Sequence, residues 1–311
     1  MPTVAIVGAG LIGRAWAVVF ARAGFDVRVF DPDAGQRAAA PELIRAGLDE
    51  SSAHGLLDDP DGARARVTIA GSLAEAVAGV GLVQENGPEV VEVKRAVFAE
   101  LDRLSPPEAI LASSTSAIVA SQFTEGLAGR ARCLVAHPVN PPHLVPIVEL
   151  CGAPWTSPEV LARAQNLYES VGQVPIRVNR EIEGFVLNRL QGALLAEAFR
   201  LVGEGIVSPR DLDKTIKDGL GLRWSFMGPF ETIDLNAPGG MADYCARYTG
   251  FYQRLASDPA GPAVWDAPNV ERVLAAWGRT ATPDEVSAGG RRRDRRLAAL
   301  GAHKRAQSDE A

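Results

Sequence analysis

Hydrophobic and polar positions alternate between two regimes along this chain. Val4 to Val7 is an uninterrupted apolar run that stops at glycines, the pattern of a central parallel strand feeding a tight turn. A helix is expected from about Leu11 to Ala23, stopped by Gly24. A second strand is expected from Val27 to Phe30, ending at Asp31, so that one βαβ half is complete. The alternation continues with helical patterns over 35–54, Leu73 to Ala78 and Val90 to Leu104. Strand patterns fall at Val67 to Ile69, Leu82 to Gln84, Ala109 to Ala112, Cys133 to Ala136, Ile147 to Leu150 and Pro175 to Val178. From about Glu183 the strands stop. Helical periodicity then runs through Phe199 and returns at Pro209 to Lys217, Gly228 to Leu235 and Ala242 to Leu255.

The pattern predicts an α/β Rossmann-type domain with a parallel sheet over residues 1–180, followed by an all-α C-terminal domain over 181–311. The tail from Gly289, GGRRRDRRLAALGAHKRAQSDEA, reads as a surface helix fraying into disorder, with a phosphate-binding arm as the alternative. In open α/β sheets ligands bind beyond the carboxyl ends of the strands, which is where Ser113 to Ser116 and His137 are expected.

Gly8, Gly10, Leu11, Ile12 and Gly13 form a GxGxxG loop between the first strand and its helix. The first glycine permits the turn, the second lets backbone approach a pyrophosphate, and the third allows close helix packing. The helix N-terminus favours the anion. Asp31 lies eighteen residues beyond Gly13, where a carboxylate accepts from ribose hydroxyls and repels a 2'-phosphate, which favours NAD over NADP. Its other reading is the start of an Asp-Pro turn, and Arg28 is the nearby cation that weakens the preference.

With 311 residues two domains are expected, and a net charge of -6 with both signs interspersed argues against nucleic acid as a partner. Cys133, Cys151 and Cys245 have no CxxC spacing and an odd total, so neither a disulfide framework nor a metal site is expected. The start MPTVAIVGAG lacks a basic segment with a long apolar stretch, and no apolar run reaches membrane-spanning length. A cytoplasmic protein with no membrane partner is the expectation.

His137, one of four histidines, sits at a strand end before a proline, and Glu149 follows it by twelve residues in AHPVNPPHLVPIVEL. A neutral imidazole takes the proton of a secondary alcohol, a carboxylate supports the resulting imidazolium, and a nicotinamide accepts the hydride. Alternatively His137 shapes the HPVNPP turn, and Glu149 faces solvent on an edge strand. Asn140 and Pro141 are placed to turn the chain so that the two strands lie near each other. The hydroxyls of Ser113, Ser114, Thr115 and Ser116 reach a substrate oxygen or the nicotinamide amide, or cap the next helix. Asn188, among apolar neighbours, needs a hydrogen-bond partner, either a substrate hydroxyl or a backbone carbonyl.

The segments SSTSAI, AHPVNPPHLVPIVEL, GFVLNRLQGALLAEAFRLVGEGIVSPRDLD and GLGLRWSFMGPFETIDLN resemble the L-3-hydroxyacyl-CoA dehydrogenase superfamily, and within it the lambda-crystallin, or L-gulonate 3-dehydrogenase, branch. The similarity runs from the first strand to about Tyr248. It implies NAD as cofactor, a helical domain that dimerises and an active site in the cleft between the domains. It also implies catalytic roles for His137 and Glu149, substrate contacts from Ser116 and Asn188, and cofactor contacts from Glu89 and Lys94. The segment VQENGPEV, at Gly87, departs slightly from the branch.

A small free 3-hydroxy acid such as L-gulonate needs a fixed cation, and Arg223 is the candidate, with Asn140 as a further substrate contact. Arg223 has the alternative of facing solvent with its stem over Trp224. The acyl-CoA reading shares the whole catalytic set. L-carnitine would ask for an aromatic cage, for which Trp224, Phe226, Phe230, Tyr244 and Tyr248 are candidates. The non-enzyme alternative is an NAD-binding structural or sensor protein.

Overall fold

The computed structural model describes residues 2–307. Eight strands form one sheet: β1 (Thr3–Val7), β2 (Asp26–Phe30), β3 (Val67–Ile69), β4 (Leu82–Glu85), β5 (Ile110–Ser113), β6 (Cys133–Pro138), β7 (Ile147–Gly152) and β8 (Val174–Val178). Their order across the sheet is β3-β2-β1-β4-β5-β6-β7-β8. The order reverses between β1 and β4, and the glycine loop leaves β1 at that switch.

Neighbouring strands are parallel except β6 and β7, which pair antiparallel. The connection between them, 139–146, is too short for a crossover and holds a cis Asn140–Pro141 bond, so the chain reverses directly beside β6. β4, β5 and β6 are buried throughout, including the polar residues at their carboxyl ends.

Apolar layers cover both faces. One gathers Trp16, Phe20, Ile44, Leu48 and Tyr168, and the other Phe98, Leu101, Phe123 and Phe185. Tyr168 comes from a helix, Pro158–Ser170, that the sequence reading leaves unassigned. Its signals are ordinary: Ser157 accepts from the Val160 amide, Pro158 opens the helix, and Val160, Ala164 and Tyr168 recur at a spacing of four to form its buried stripe.

The chain divides into two compact units, one made of residues up to Asn188 together with those from Pro283 onward, the other Arg189–Thr282. The sequence reading runs the second domain from 181 to the chain end, whereas here the last helix, Pro283–Ala306, groups with the first unit. Ala298 on that helix is fully buried, and Arg305 donates to the Leu56 carbonyl at 3.4 Å. The stretch read as fraying is therefore helical as far as Ala306, and residues 308–311 lie outside the described residues.

The second unit is helical throughout, including Pro209–Lys214, Pro229–Asp234, Gly240–Ala256 and Ala267–Trp277, with a π-helical turn at Thr215–Leu220. It buries little. Gly240–Ala256 has no buried residue over its 17 positions, while Phe226 and Phe230 are 68% and 70% exposed.

Candidate active site

The glycine loop has the steric logic its motif predicts. Gly8 has φ +95°, and an added Cβ would lie 2.8 Å from the Asn86 carbonyl oxygen. A Cβ on Gly13 would lie 1.8 Å from the Gly8 oxygen, so helix Leu11–Arg22 can pack this close only without a side chain there. Gly10 is different. Nothing lies within 4 Å of its Cβ position, and it starts the helix without a side-chain cap. That open backbone at a helix N-terminus fits a dinucleotide pyrophosphate. Leu11 is exposed beside it, while Ile12 packs on the core.

Asp31, just past β2, accepts from the Ala9 amide at 2.7 Å and the Asp33 amide at 2.8 Å. Its carboxylate thus steadies both the glycine loop and the turn after β2, and each oxygen keeps a further acceptor site for a ribose hydroxyl.

The ends of β4 and β5 are occupied by polar groups that hold one another. Lys94 is 1% exposed and donates to both oxygens of Glu85, at 3.1 and 3.0 Å. Ser113 donates to the same carboxylate at 2.6 Å, and the Gly87 amide does so at 2.6 Å. In this arrangement Lys94 is committed to Glu85. Glu85 ends β4 in an apolar layer, where a carboxylate must be paired, and Lys94 is the pairing cation.

Glu89 is exposed, and its carboxylate is turned to the β5 loop. Its Oε1 accepts from the Thr115 hydroxyl and from the amides of Ser116 and Ala117, at 3.1 and 3.0 Å. Burial works to raise this carboxyl, but the Thr115 and backbone hydrogen bonds and the Lys94 charge outweigh it and hold it below the ordinary range. Glu89 therefore fixes the loop that carries Ser116.

Within that loop the four hydroxyls divide. Ser113 serves Glu85 and Thr115 serves Glu89. Ser114 accepts from Trp16 and Gln84, at 3.0 and 2.7 Å, and donates to Asn86. Ser116 is exposed, and its hydroxyl bonds to no described residue. The Asn188 side-chain amide donates to the Ser116 carbonyl at 2.7 Å, so of the two partners open to Asn188 a backbone carbonyl is filled, and the two residues stand together.

His137 and Glu149 are directly opposite each other in the antiparallel β6–β7 pair. Nδ1 of His137 lies 2.7 Å from Oε2 of Glu149, and the two residues are 5% and 1% exposed. Oε1 of Glu149 accepts from the amides of Val186 and Leu187 at 2.9 and 3.0 Å. Burial pushes the Glu149 carboxyl up, but the hydrogen bonds from His137, Leu187 and Val186 prevail and hold it below its ordinary value. An ionised carboxylate only accepts, so the proton of a neutral His137 sits on Nδ1 and Nε2 presents its lone pair. The arrangement suits a general base at the carboxyl end of β6.

The other histidines offer no such pair. The His54 Nδ1 meets the Glu50 carbonyl on its own helix, and burial with Arg22 nearby pushes His143 down to about 4. Asn140 is exposed and makes no described side-chain hydrogen bond. Arg223 lies in the second unit on the short helix Gly221–Trp224, exposed, with its guanidinium bonded to no described residue. Trp224, Phe226, Phe230 and Tyr248 are exposed in the same unit, where their spacing alone would place them in a core.

Sequence reasoning misses Gln84, Glu85, Trp16 and Tyr168. The Tyr168 hydroxyl donates to Gln84, which donates to Ser114, forming a buried chain beneath the strand ends. A glutamine and a glutamate closing the apolar run LVQE were the available signal. Among the described residues no cluster of His, Cys, Asp or Glu could hold a metal.

Residues 3–182 match the NAD binding domain of 3-hydroxyacyl-CoA dehydrogenase, and residues 184–280 its C-terminal domain. The chain is 43% identical over 307 residues to lambda-crystallin of Oryctolagus cuniculus, covering 97% of this chain and 96% of that one. It is 41% identical over 248 residues to an L-carnitine dehydrogenase of Streptomyces coelicolor, covering 77% and 75%. A solved 5-formyl-3-hydroxy-2-methylpyridine 4-carboxylic acid 5-dehydrogenase, described as an NAD+ dependent dismutase, superposes with a TM-score of 0.82 at 27% identity, covering 96% and 97%. With its glycine loop, strand-end histidine and both domains matched along most of its length, the chain belongs to the 3-hydroxyacyl-CoA dehydrogenase family and is an NAD-dependent oxidoreductase of that family.

Proposed function

We propose that the protein oxidises the C3 hydroxyl of a small free 3-hydroxy acid, with L-gulonate going to 3-dehydro-L-gulonate. The observation that carries the reaction type is the buried His137–Glu149 pair, its Nδ1 bound and its Nε2 free. Bound at the glycine loop, NAD would supply the hydride acceptor for C3. His137 takes the hydroxyl proton at Nε2, and Glu149 stabilises the imidazolium across the short bond to Nδ1. Ser116, with its free hydroxyl, and Asn188, tied to the Ser116 carbonyl, orient the substrate oxygen. Secondary alcohol and NAD+ become ketone, NADH and one proton.

Gly8, Gly10 and Gly13 shape the pyrophosphate site, and Leu11 and Ile12 place the first helical amides. Asp31, held by the Ala9 amide, would accept from the adenosine ribose. Glu89 acts through the Ser116 loop, and Lys94 through Glu85. Arg223, whose guanidinium is unpaired, is the candidate grip for the substrate carboxylate. The identity to a lambda-crystallin over nearly the whole chain supports the free-acid branch. L-carnitine is a second reading, favoured by the exposure of Trp224, Phe226 and Phe230 and by the carnitine dehydrogenase relative.

The exposed apolar surface of the second unit supports a homodimer formed through it, and three unpaired cysteines suit a reducing cytoplasm. NADH formation from NAD with L-gulonate, L-3-hydroxybutyrate, L-carnitine and 3-hydroxybutyryl-CoA, with His137→Ala and Arg223→Ala beside the natural chain, tests the proposal. Preference for L-gulonate, abolished in the first variant and weakened in KM by the second, supports it. Preference for the thioester moves the chain to acyl-CoA chemistry, and NADH binding without turnover of any substrate would mark a structural or sensor protein.

A further inference from the structure

Gly184 and Phe185 are consecutive left-handed residues, with φ of 75° and 47°. Phe185 is the one non-glycine residue with positive φ among the described residues. A β-carbon is disfavoured there, and glycine would adopt the turn without that penalty. A phenylalanine that is 0% exposed therefore stands where the backbone alone would select glycine, so its ring must return something to the structure.

Burial of the ring in the layer with Phe98, Leu101 and Phe123 is one return, and two further contacts give it a place at the site. The ring lies 5.7 Å from the His137 imidazole, centroid to centroid, inclined at 36°. The next two residues, Val186 and Leu187, are those whose amides converge on Glu149 Oε1, at 2.9 and 3.0 Å. Because one oxygen of Glu149 is held by these amides, the other is left to His137 Nδ1. One turn thus addresses both members of the pair.

Resting on the reading of His137 as the proton acceptor, we propose that Phe185 is a positioning residue of the His137–Glu149 pair. Its left-handed backbone aims the two amides at Glu149, and its ring closes one face of the imidazole, so that Nε2 is held in a single orientation. A flat ring excludes water from that face and blocks rotation of the imidazole, which a flexible aliphatic side chain does less well. The substrate contacts are left to other residues.

The test uses the full chain labelled with 15N-histidine, with Phe185→Leu, Phe185→Ala and Phe185→Gly compared with the natural protein. The readouts are solvent exchange of the His137 Nδ1 proton, kcat, KM for NAD and Tm. Phe185→Leu is expected to speed exchange by about tenfold or more as the pair opens locally. It should also lower kcat about ten- to hundredfold while KM for NAD stays within about twofold, the mark of a misplaced base. Phe185→Gly should regain Tm relative to Phe185→Ala, since strain is relieved, without regaining kcat or proton protection.

Wild-type exchange and kcat in Phe185→Leu would overturn the proposal, as would full recovery of both in Phe185→Gly, which would leave the ring no part. Exchange needs no substrate, so this arm stands even if no tested acid turns over. Turnover that persists in His137→Asn would instead refute the assignment of the base.

Discussion

Two buried carboxylates with side-chain partners lie at the carboxyl ends of this sheet, and they differ in what their partners leave open. At β4 the Lys94 ammonium meets both oxygens of Glu85, with Ser113 and the Gly87 amide completing the carboxylate. At β6 and β7, Glu149 is also filled by two amides and a side-chain partner, but that partner is an imidazole with a second nitrogen. Lys94 and Glu85 are committed to each other, which holds the strand ends together. His137 is oriented by its pair and still has a lone pair to offer. Burial and pairing alone therefore do not mark a catalytic centre; an uncommitted atom on a fixed group does.

The largest effect separates the sites by readout. His137→Asn should lower kcat by about 10²–10⁴-fold, the usual contribution of a positioned base, with NADH affinity and Tm little changed. A loss of NADH binding instead would place His137 in the cofactor site rather than the chemistry. Lys94→Met should do the reverse. It leaves Glu85 buried and unpaired, which costs about 3–5 kcal/mol in urea unfolding, and Lys94→Met with Glu85→Gln together should cost less than the single change. If Lys94→Met raised the Kd for NADH with no loss of stability, Lys94 would be the cofactor contact that the family resemblance implies.

The sequence makes the first of these sites hard to see and the second easy. His137 and Glu149 are legible because a histidine at a strand end and a glutamate inside VPIVEL are both costly unless they meet, and the Asn140–Pro141 turn brings them opposite. The glycine loop is legible because its spacing encodes the steric demands met at Gly8 and Gly13. Lys94 enters the sequence reading only through the family resemblance, and its burial depends on Glu85, nine residues earlier on another element. Phe185 reads as an ordinary apolar residue, because φ is not written in residue type unless the residue is glycine or proline. The docking of the last helix was illegible for a similar reason, since one buried alanine among arginines carries no periodic signal.

Acid sharpens the contrast next. Glu149 has its folded pKa below the ordinary value of 4.5, so it adds stability that is fully present above that value and is lost as pH falls through the lower folded one. Glu149→Gln should therefore cost about 2 kcal/mol near neutrality, as a charged hydrogen-bond acceptor does. That difference from the natural chain should shrink steadily below about pH 4.5. Urea unfolding at a series of pH values measures it. A difference that stayed constant into acid would mean that the charge on Glu149 contributes nothing to holding Val186, Leu187 and His137.

The smallest effect concerns the hydroxyls of the β5 loop, where the same division between committed and free groups recurs within four residues. Ser114 is a hub bonded to Trp16, Gln84 and Asn86, whereas the Ser116 hydroxyl touches no described residue. Ser116→Ala should leave stability within about 0.5 kcal/mol of the natural chain, as surface changes usually do. It should lower kcat/KM by about two- to tenfold, the worth of one neutral hydrogen bond to the substrate oxygen. Ser114→Ala should show the opposite division, a stability loss of about 1–3 kcal/mol from orphaned buried partners with a lesser effect on turnover. If Ser116→Ala left kcat/KM intact, orientation of the oxygen would fall to Asn188 alone. Asn188 can do this with its bond to the Ser116 carbonyl intact, because its second N–H and its Oδ1 remain open.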